Sequence, residues 1–129
     1  MRVLVFGLPG SGKTTFARQL SAGHAYFNAD EVRKMFNDWD FSPEGRTRQA
    51  QRMGCLSSLV DGHSIVDFIC PFDEDRHEYD VKVWMNTIEK GRFDDTNQMF
   101  EKPNHCTFDI KDFNYDNVLK EIQAKLLIK

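Results

Sequence analysis

The run Gly7-Leu8-Pro9-Gly10-Ser11-Gly12-Lys13-Thr14 constrains this chain more than any other feature. It satisfies GxxxxGK[ST], follows the apolar, β-branched segment RVLVF at 2–6, and leads into a helix-prone segment from Thr14 to Leu20. A buried strand, a glycine-rich turn and a helix in that order form a cradle. Its backbone N–H groups turn inward around phosphate oxygens, and the positive end of the helix lies behind them. In this reading Gly7, Pro9, Gly10, Ser11, Gly12, Lys13, Thr14 and Thr15 hold the phosphates of ATP. Lys13 neutralises charge between the β- and γ-phosphates during transfer, and the Thr14 hydroxyl coordinates Mg²⁺.

The rest of the chain continues the same alternation. AYFN at 25–28, SIVDFIC at 64–70, VKVWM at 81–85 and CTFDI at 106–110 read as further strands. Between them Asp30 to Asn37 reads as a short helix. Ser42-Pro43-Glu44 reads as the N-cap and first turn of a long helix toward Asp61, with Ala50, Met53, Leu56 and Val60 on its core face. The acidic stretch Asp73 to Tyr79 reads as helical and solvated, and Tyr115, Val118, Leu119, Ile122 and Leu126 mark a closing amphipathic helix. Residues 89–104 mix charges with Gly91 and Pro103 and show no periodicity, so they read as a long, lid-like surface loop.

Strands alternating with helices imply right-handed crossovers and a parallel sheet. The expected fold is α/β: a three-layer P-loop NTPase of nucleoside-kinase type, with a five-stranded parallel sheet and helices on both faces. With 129 residues, one domain over 1–129 is expected. In such sheets ligands bind beyond the carboxyl ends of the strands, so the loops after Phe6, Asn28, Cys70 and Met85 share one rim.

Composition narrows the partners. Seventeen Lys and Arg against twenty Asp and Glu give a formal charge of −3, without the broad basic surface that general nucleic-acid binding needs. Cys55, Cys70 and Cys106 have neither disulfide nor zinc spacing, which fits a reducing cytoplasm. Val3 to Phe6 is too short for a membrane span, so a membrane partner is not expected. Monomer and homodimer both stay open.

Neither the DxxG nor the NKxD segment of GTPases occurs, and the chain is too short for a helicase or motor core, which favours a small-molecule kinase. Its acceptor would be met by Asp30, Arg33 and Asn37, spaced i, i+3 and i+7, and by Arg46 and Gln49 on the next helix. One carboxylate and two guanidiniums suit an acceptor bearing phosphate or sulfate. Asp67, inside a strand, is either near the metal and the phosphate loop or a paired structural carboxylate. Arg48 and Arg52 read as a solvated face, and the four histidines have no metal-ligand spacing.

The ordered segments NADEVR, FSPEGRTRQ, FICP and FDDTNQMFEKP resemble the adenylylsulfate kinase family, in which DGDNxR, FSxxDRxEN, FISP and FTGIDxPYExP follow the phosphate loop. The resemblance spans Gly7 to Pro103. It implies an ATP- and Mg²⁺-dependent kinase that phosphorylates the 3′-hydroxyl of adenylyl sulfate. By position Asp30 matches the second DGD aspartate, which orients or deprotonates that hydroxyl and stands near the metal, as Asp67 also could. Arg33 and Arg46 match arginines that hold the phosphosulfate, and Phe41 and Phe93 match the rings that clamp the acceptor adenine. Ile69 and Cys70 fall in the FISP segment.

Asn28-Ala29, Gly45 and Gln49 replace the family's Asp-Gly, Asp and Asn. Cys70 replaces the serine of FISP, so a phosphoserine intermediate cannot form there, and direct transfer stays open. Two alternatives stand beside the leading reading: a kinase for another small phosphorylated or nucleotide acceptor, and an inactive nucleotide-binding module.

Overall fold

A computed structural model describes residues 1–128. Five strands, β1 (Arg2–Phe6), β2 (Ala25–Asn28), β3 (Ser64–Phe68), β4 (Val81–Met85) and β5 (Phe108–Ile110), alternate with helices α1 (Lys13–Leu20), α2 (Ala29–Phe36), α3 (Pro43–Ser58), α4 (Asp94–Met99) and α5 (Asp116–Leu126). The strands form one parallel sheet in the order β2-β3-β1-β4-β5. This is the expected three-layer architecture, with β1 at its centre.

The period-2 alternation of β1 divides the core. Val3 and Val5 point to the face covered by α1 and α5, where they meet Phe16, Leu20, Ile65, Val83, Ile122 and Leu126. Leu4 and Phe6 point to the face covered by α2 and α3, where they meet Val32, Ala50, Met53, Val66 and Phe68. All four β1 side chains are fully buried, and each such burial contributes about 1.5–3 kcal/mol. The loop after β1 is thereby anchored on the central strand of the sheet.

Local chemistry sets the helix starts. Asn28 Oδ1 accepts from the backbone N–H of Asp30 (3.1 Å) and Glu31 (3.2 Å), capping α2, and Ser42 Oγ accepts from Gly45 N–H (3.1 Å) with Pro43 in the first turn of α3. Asp30 is therefore in the first turn of its helix and not its cap.

Several expected boundaries shift. The third strand stops at Phe68, because Cys70 takes a left-handed backbone (φ 46°) that a β-strand cannot hold. The fifth begins at Phe108, not Cys106, and α3 ends at Ser58, which leaves Val60 outside the helix. The acidic stretch is only a 3₁₀ turn, Asp73–Arg76, whose arginine is buried. The segment 89–104, expected to be loop throughout, contains α4, which has no side-chain cap and only one buried residue, Thr96.

Candidate active site

The phosphate loop owes its path to glycine. Gly7 (φ 152°) lies so close to β4 that a Cβ would come within 2.7 Å of the Met85 carbonyl oxygen. At Gly12 (φ 92°) it would lie 2.9 Å from the Phe113 ring. Gly12 is the N-cap of α1 and offers no side-chain acceptor, so the first-turn N–H groups stay free for an anion. Thr87 Oγ1 donates to the Ser11 carbonyl (2.8 Å), which ties the loop to the segment after β4.

Lys13 Nζ donates to the Leu8 carbonyl (3.1 Å) across the loop. Burial lowers its pKa from 10.5 to about 8, against the opposing pull of Asp67 and Asp30. Asp67, only 2% exposed at the end of β3, accepts from Tyr26 Oη, from Asn28 Nδ2 (3.3 Å) and from Thr14 Oγ1 (3.4 Å). Burial pushes its carboxyl above the ordinary range, while those donors and Lys13 pull it down. Burial, with the neighbouring Asp67, raises Tyr26 to about 12, so its hydroxyl remains a donor.

A cavity of about 470 Å³ opens from this point, a volume suited to a small ligand. Pro9, Gly10, Lys13 and Thr14 of the glycine-rich loop line one end of it. Asp30, Arg33, Phe41, Arg46, Gln49, Asp67, Ile69, Cys70 and Phe93 line the remainder. Gly7, Ser11, Gly12 and Thr15 are not in its wall; Thr15 is exposed on α1, and the buried Ser11 hydroxyl has no partner among the described residues. Asn37 corrects the helical-face expectation. α2 ends at Phe36 and Asn37 adopts a left-handed backbone (φ 48°); it is exposed and not in the cavity wall.

Two of the cavity arginines, Arg33 and Arg46, are buried and engaged. Arg33 Nη1 donates to the Asp38 (3.0 Å) and Asp40 (3.1 Å) carbonyls, with its guanidinium 4.3 Å from the centre of the Phe41 ring. Arg46 Nε donates to the Phe41 carbonyl (2.8 Å) and Nη2 to Thr96 Oγ1 (2.8 Å), so it links two walls of the cavity. Burial lowers the pKa of each, with charge retained. Gln49 Nε2 donates to the Ala29 carbonyl (3.0 Å), and its buried Oε1 has no partner among the described residues.

The sequence does not mark Asp95 and Thr96, which reach the cavity only because α4 forms; Arg92 also lines it. Arg48, expected on a solvated face, is exposed, while Arg52 is half-buried; Arg48 Nε (3.1 Å) and Arg52 Nη2 (2.6 Å) pair with Asp38, and Arg48 Nη2 with Asp40 (2.8 Å). These ion pairs hold Asp38 well below the usual carboxylate range, with Arg48 the largest cause, and fasten the loop that carries Phe41. Asp38 lies ten and fourteen residues before its two partners, a separation that helical spacing does not flag.

Among the described residues no His, Cys, Asp or Glu cluster of three could hold a metal alone, and no helix is long and apolar enough to cross a membrane. The Thr14 hydroxyl beside the Asp67 carboxylate, with Asp30 on the same cavity, is an all-oxygen set that fits Mg²⁺ carried in with phosphate ligands.

Comparison with known proteins places the chain in a family and its fold among solved structures. The family described as adenylylsulphate kinase matches residues 1–93. The APS kinase CysC of Mycobacterium tuberculosis, solved with AMPPNP and APS, has a similar structure with TM-score 0.75 at 21% identity, over 99% of this chain and 97% of that one. A gluconokinase from Sinorhizobium meliloti (TM-score 0.65, 15% identity, 98% and 91% covered) and a shikimate kinase from Aquifex aeolicus (0.66, 17%, 98% and 96%) share the fold. No curated protein sequence matches.

Proposed function

Because the chain belongs to the adenylylsulphate kinase family, and is thus a P-loop kinase, we propose that it transfers the γ-phosphoryl group of ATP to the 3′-hydroxyl of adenylyl sulfate. The observation that carries this reading is the single cavity in which Lys13 and Thr14 face Asp30, Arg33, Phe41, Arg46 and Phe93. One end of it suits a triphosphate, and the other combines guanidiniums with aromatic rings as a phosphosulfate and a base require. Residues 1–129 act as one kinase domain in this proposal, with 89–104 covering the acceptor. The free thiols of Cys55, Cys70 and Cys106 support a reducing, cytoplasmic setting.

Transfer proceeds through a loose transition state, so catalysis rests on position and charge. The acceptor oxygen bonds to the γ-phosphorus as the bond to the β–γ bridging oxygen breaks, and ADP leaves with that electron pair. Lys13 and the loop amides meet the charge on the transferring group. Asp30 orients the acceptor hydroxyl and takes its proton. Mg²⁺, held by Thr14 with Asp67 or Asp30 near it, would supply further charge neutralisation on the phosphates. Arg33 and Arg46 hold the acceptor's anionic groups, and Phe41 and Phe93, with Ile69 and Cys70 in the wall, enclose its base. The Cys70 thiol, kept protonated by burial, takes no covalent part.

Two observations favour a second reading, a kinase for a different phosphorylated or nucleotide acceptor: the Phe41 ring already bears the Arg33 guanidinium, and Gln49 Oε1, unpartnered among the described residues, offers an acceptor atom. A panel of acceptors with labelled ATP decides between them. ADP release stimulated by adenylyl sulfate, with 3′-phosphoadenylyl sulfate formed, is the expected result. Turnover on another acceptor without that stimulation would overturn the assignment.

A further inference from the structure

Outside the cavity wall, Arg76 has the most completely buried charge in the molecule. Its side chain has no exposed surface, and its guanidinium lies between two rings, 4.4 Å from the centre of Phe6 and 5.0 Å from that of Phe100. Every nitrogen is used. Nε donates to the Cys70 carbonyl (2.9 Å), Nη1 to Asp73 Oδ1 (3.2 Å), and Nη2 to the carbonyls of Pro71 (3.1 Å) and Glu101 (2.7 Å).

Those acceptors belong to two separate stretches. Cys70 and Pro71 follow β3 and line the cavity, and Cys70 holds the left-handed backbone that turns its carbonyl away from the sheet ladder. Phe100 and Glu101 follow α4, the helix that brings Asp95 and Thr96 to the same cavity. Two further bonds join the stretches directly: Glu101 N–H to the Pro71 carbonyl (2.8 Å), and Asp73 N–H to Glu101 Oε1 (2.9 Å). A charge this buried is retained only where its hydrogen bonds are met, and here meeting them fixes the distance between two cavity walls.

We infer that Arg76 is a positioning residue for the acceptor end of the cavity. It touches no ligand itself. It sets the Ile69–Pro71 wall against the α4 segment, so that an anionic nucleotide acceptor meets both in register. The inference rests on the acceptor reading above, yet the donor end, built from Pro9 to Thr14, takes no bond from Arg76.

Arg76→Lys tests it, since an ammonium keeps the charge but lacks the planar fork that spans both stretches. In the full chain KM for adenylyl sulfate should rise tenfold or more, kcat should fall less, and calorimetric binding of AMPPNP should stay within twofold. A folded variant with an unchanged acceptor KM, or an equal loss of AMPPNP binding, would overturn the inference. If Arg76→Lys does not fold, Phe100→Leu removes one stacking face and keeps every bond; a severalfold rise in acceptor KM is expected, and no rise counts against it. If the wild type proves inactive on adenylyl sulfate, amide hydrogen exchange still decides. Faster exchange at Glu101 with β1 unchanged supports the role of Arg76, and unchanged exchange at Glu101 refutes it.

Discussion

Lys13 gives the sharpest prediction, because its environment makes triphosphate binding depend on pH. With its pKa near 8 in the free protein, about nine-tenths of Lys13 is charged at pH 7 and about one-tenth at pH 9. Bound phosphates replace the Leu8 carbonyl as its partner and favour the ammonium, which restores at least the ordinary value of 10.5. Binding should then take up about 0.1 proton per site at pH 7 and about 0.9 at pH 9, with affinity about tenfold weaker at the higher pH, ~1.4 kcal/mol. Calorimetry of AMPPNP binding in two buffers of different ionisation enthalpy reads the proton count directly. Uptake at pH 9 no larger than at pH 7 would refute the argument, as would the same uptake in Lys13→Met.

Other outcomes follow from the same structure. Lys13→Ala should fold normally and lose turnover by about a hundredfold to a thousandfold or more, as removal of a transition-state charge partner does, measured as labelled phosphoryl transfer. In the unliganded protein the folded pKa of Lys13 lies below its unfolded value, so the unfolded chain binds more protons between about pH 8 and 10.5 and thermal stability should rise with pH through that window. Asp38→Asn leaves Arg48 and Arg52 without their shared carboxylate. The stability that the wild type holds above about pH 4 and loses as pH falls below it should be reduced, and the flattened acid limb of a denaturation series would show this. Gly45→Ala places a Cβ against the Asp40 backbone carbonyl and should cost about 2–3 kcal/mol. Gly54→Ala meets the Glu78 carboxylate, a side chain that can swing away, so its midpoint in urea should move less.

How far the sequence led can be judged residue by residue. RVLVF and the loop after it dictate strand, turn and helix by local sterics alone, and the alternating pattern beyond them dictates a parallel sheet, so the architecture and the donor end were readable. α4 was not, because DDTNQM has no apolar period and no capping residue; it is held by tertiary bonds, Thr96 to Arg46 and Asn97 to the Gly91 backbone. Arg76 was hidden for the same reason, since its partners Phe6 and Glu101 are remote in sequence and its neighbours Asp73, Glu74 and Asp75 suggest a solvated turn. Asn37 failed where a helix stopped one residue early, which matters because a single left-handed residue redirects everything after it.

The two ends of the cavity differ in how they are assembled. The donor end is one continuous stretch, Pro9 to Thr14, whereas the acceptor end gathers side chains from α2, α3, the segment after β3 and α4. A partly opened molecule that has let α4 go therefore still holds a complete triphosphate cradle on the buried strand β1, but no acceptor pocket. On progressive denaturation the chain should pass through a form that binds nucleotide and phosphorylates nothing, and ATP would stabilise that form nearly as well as the native one.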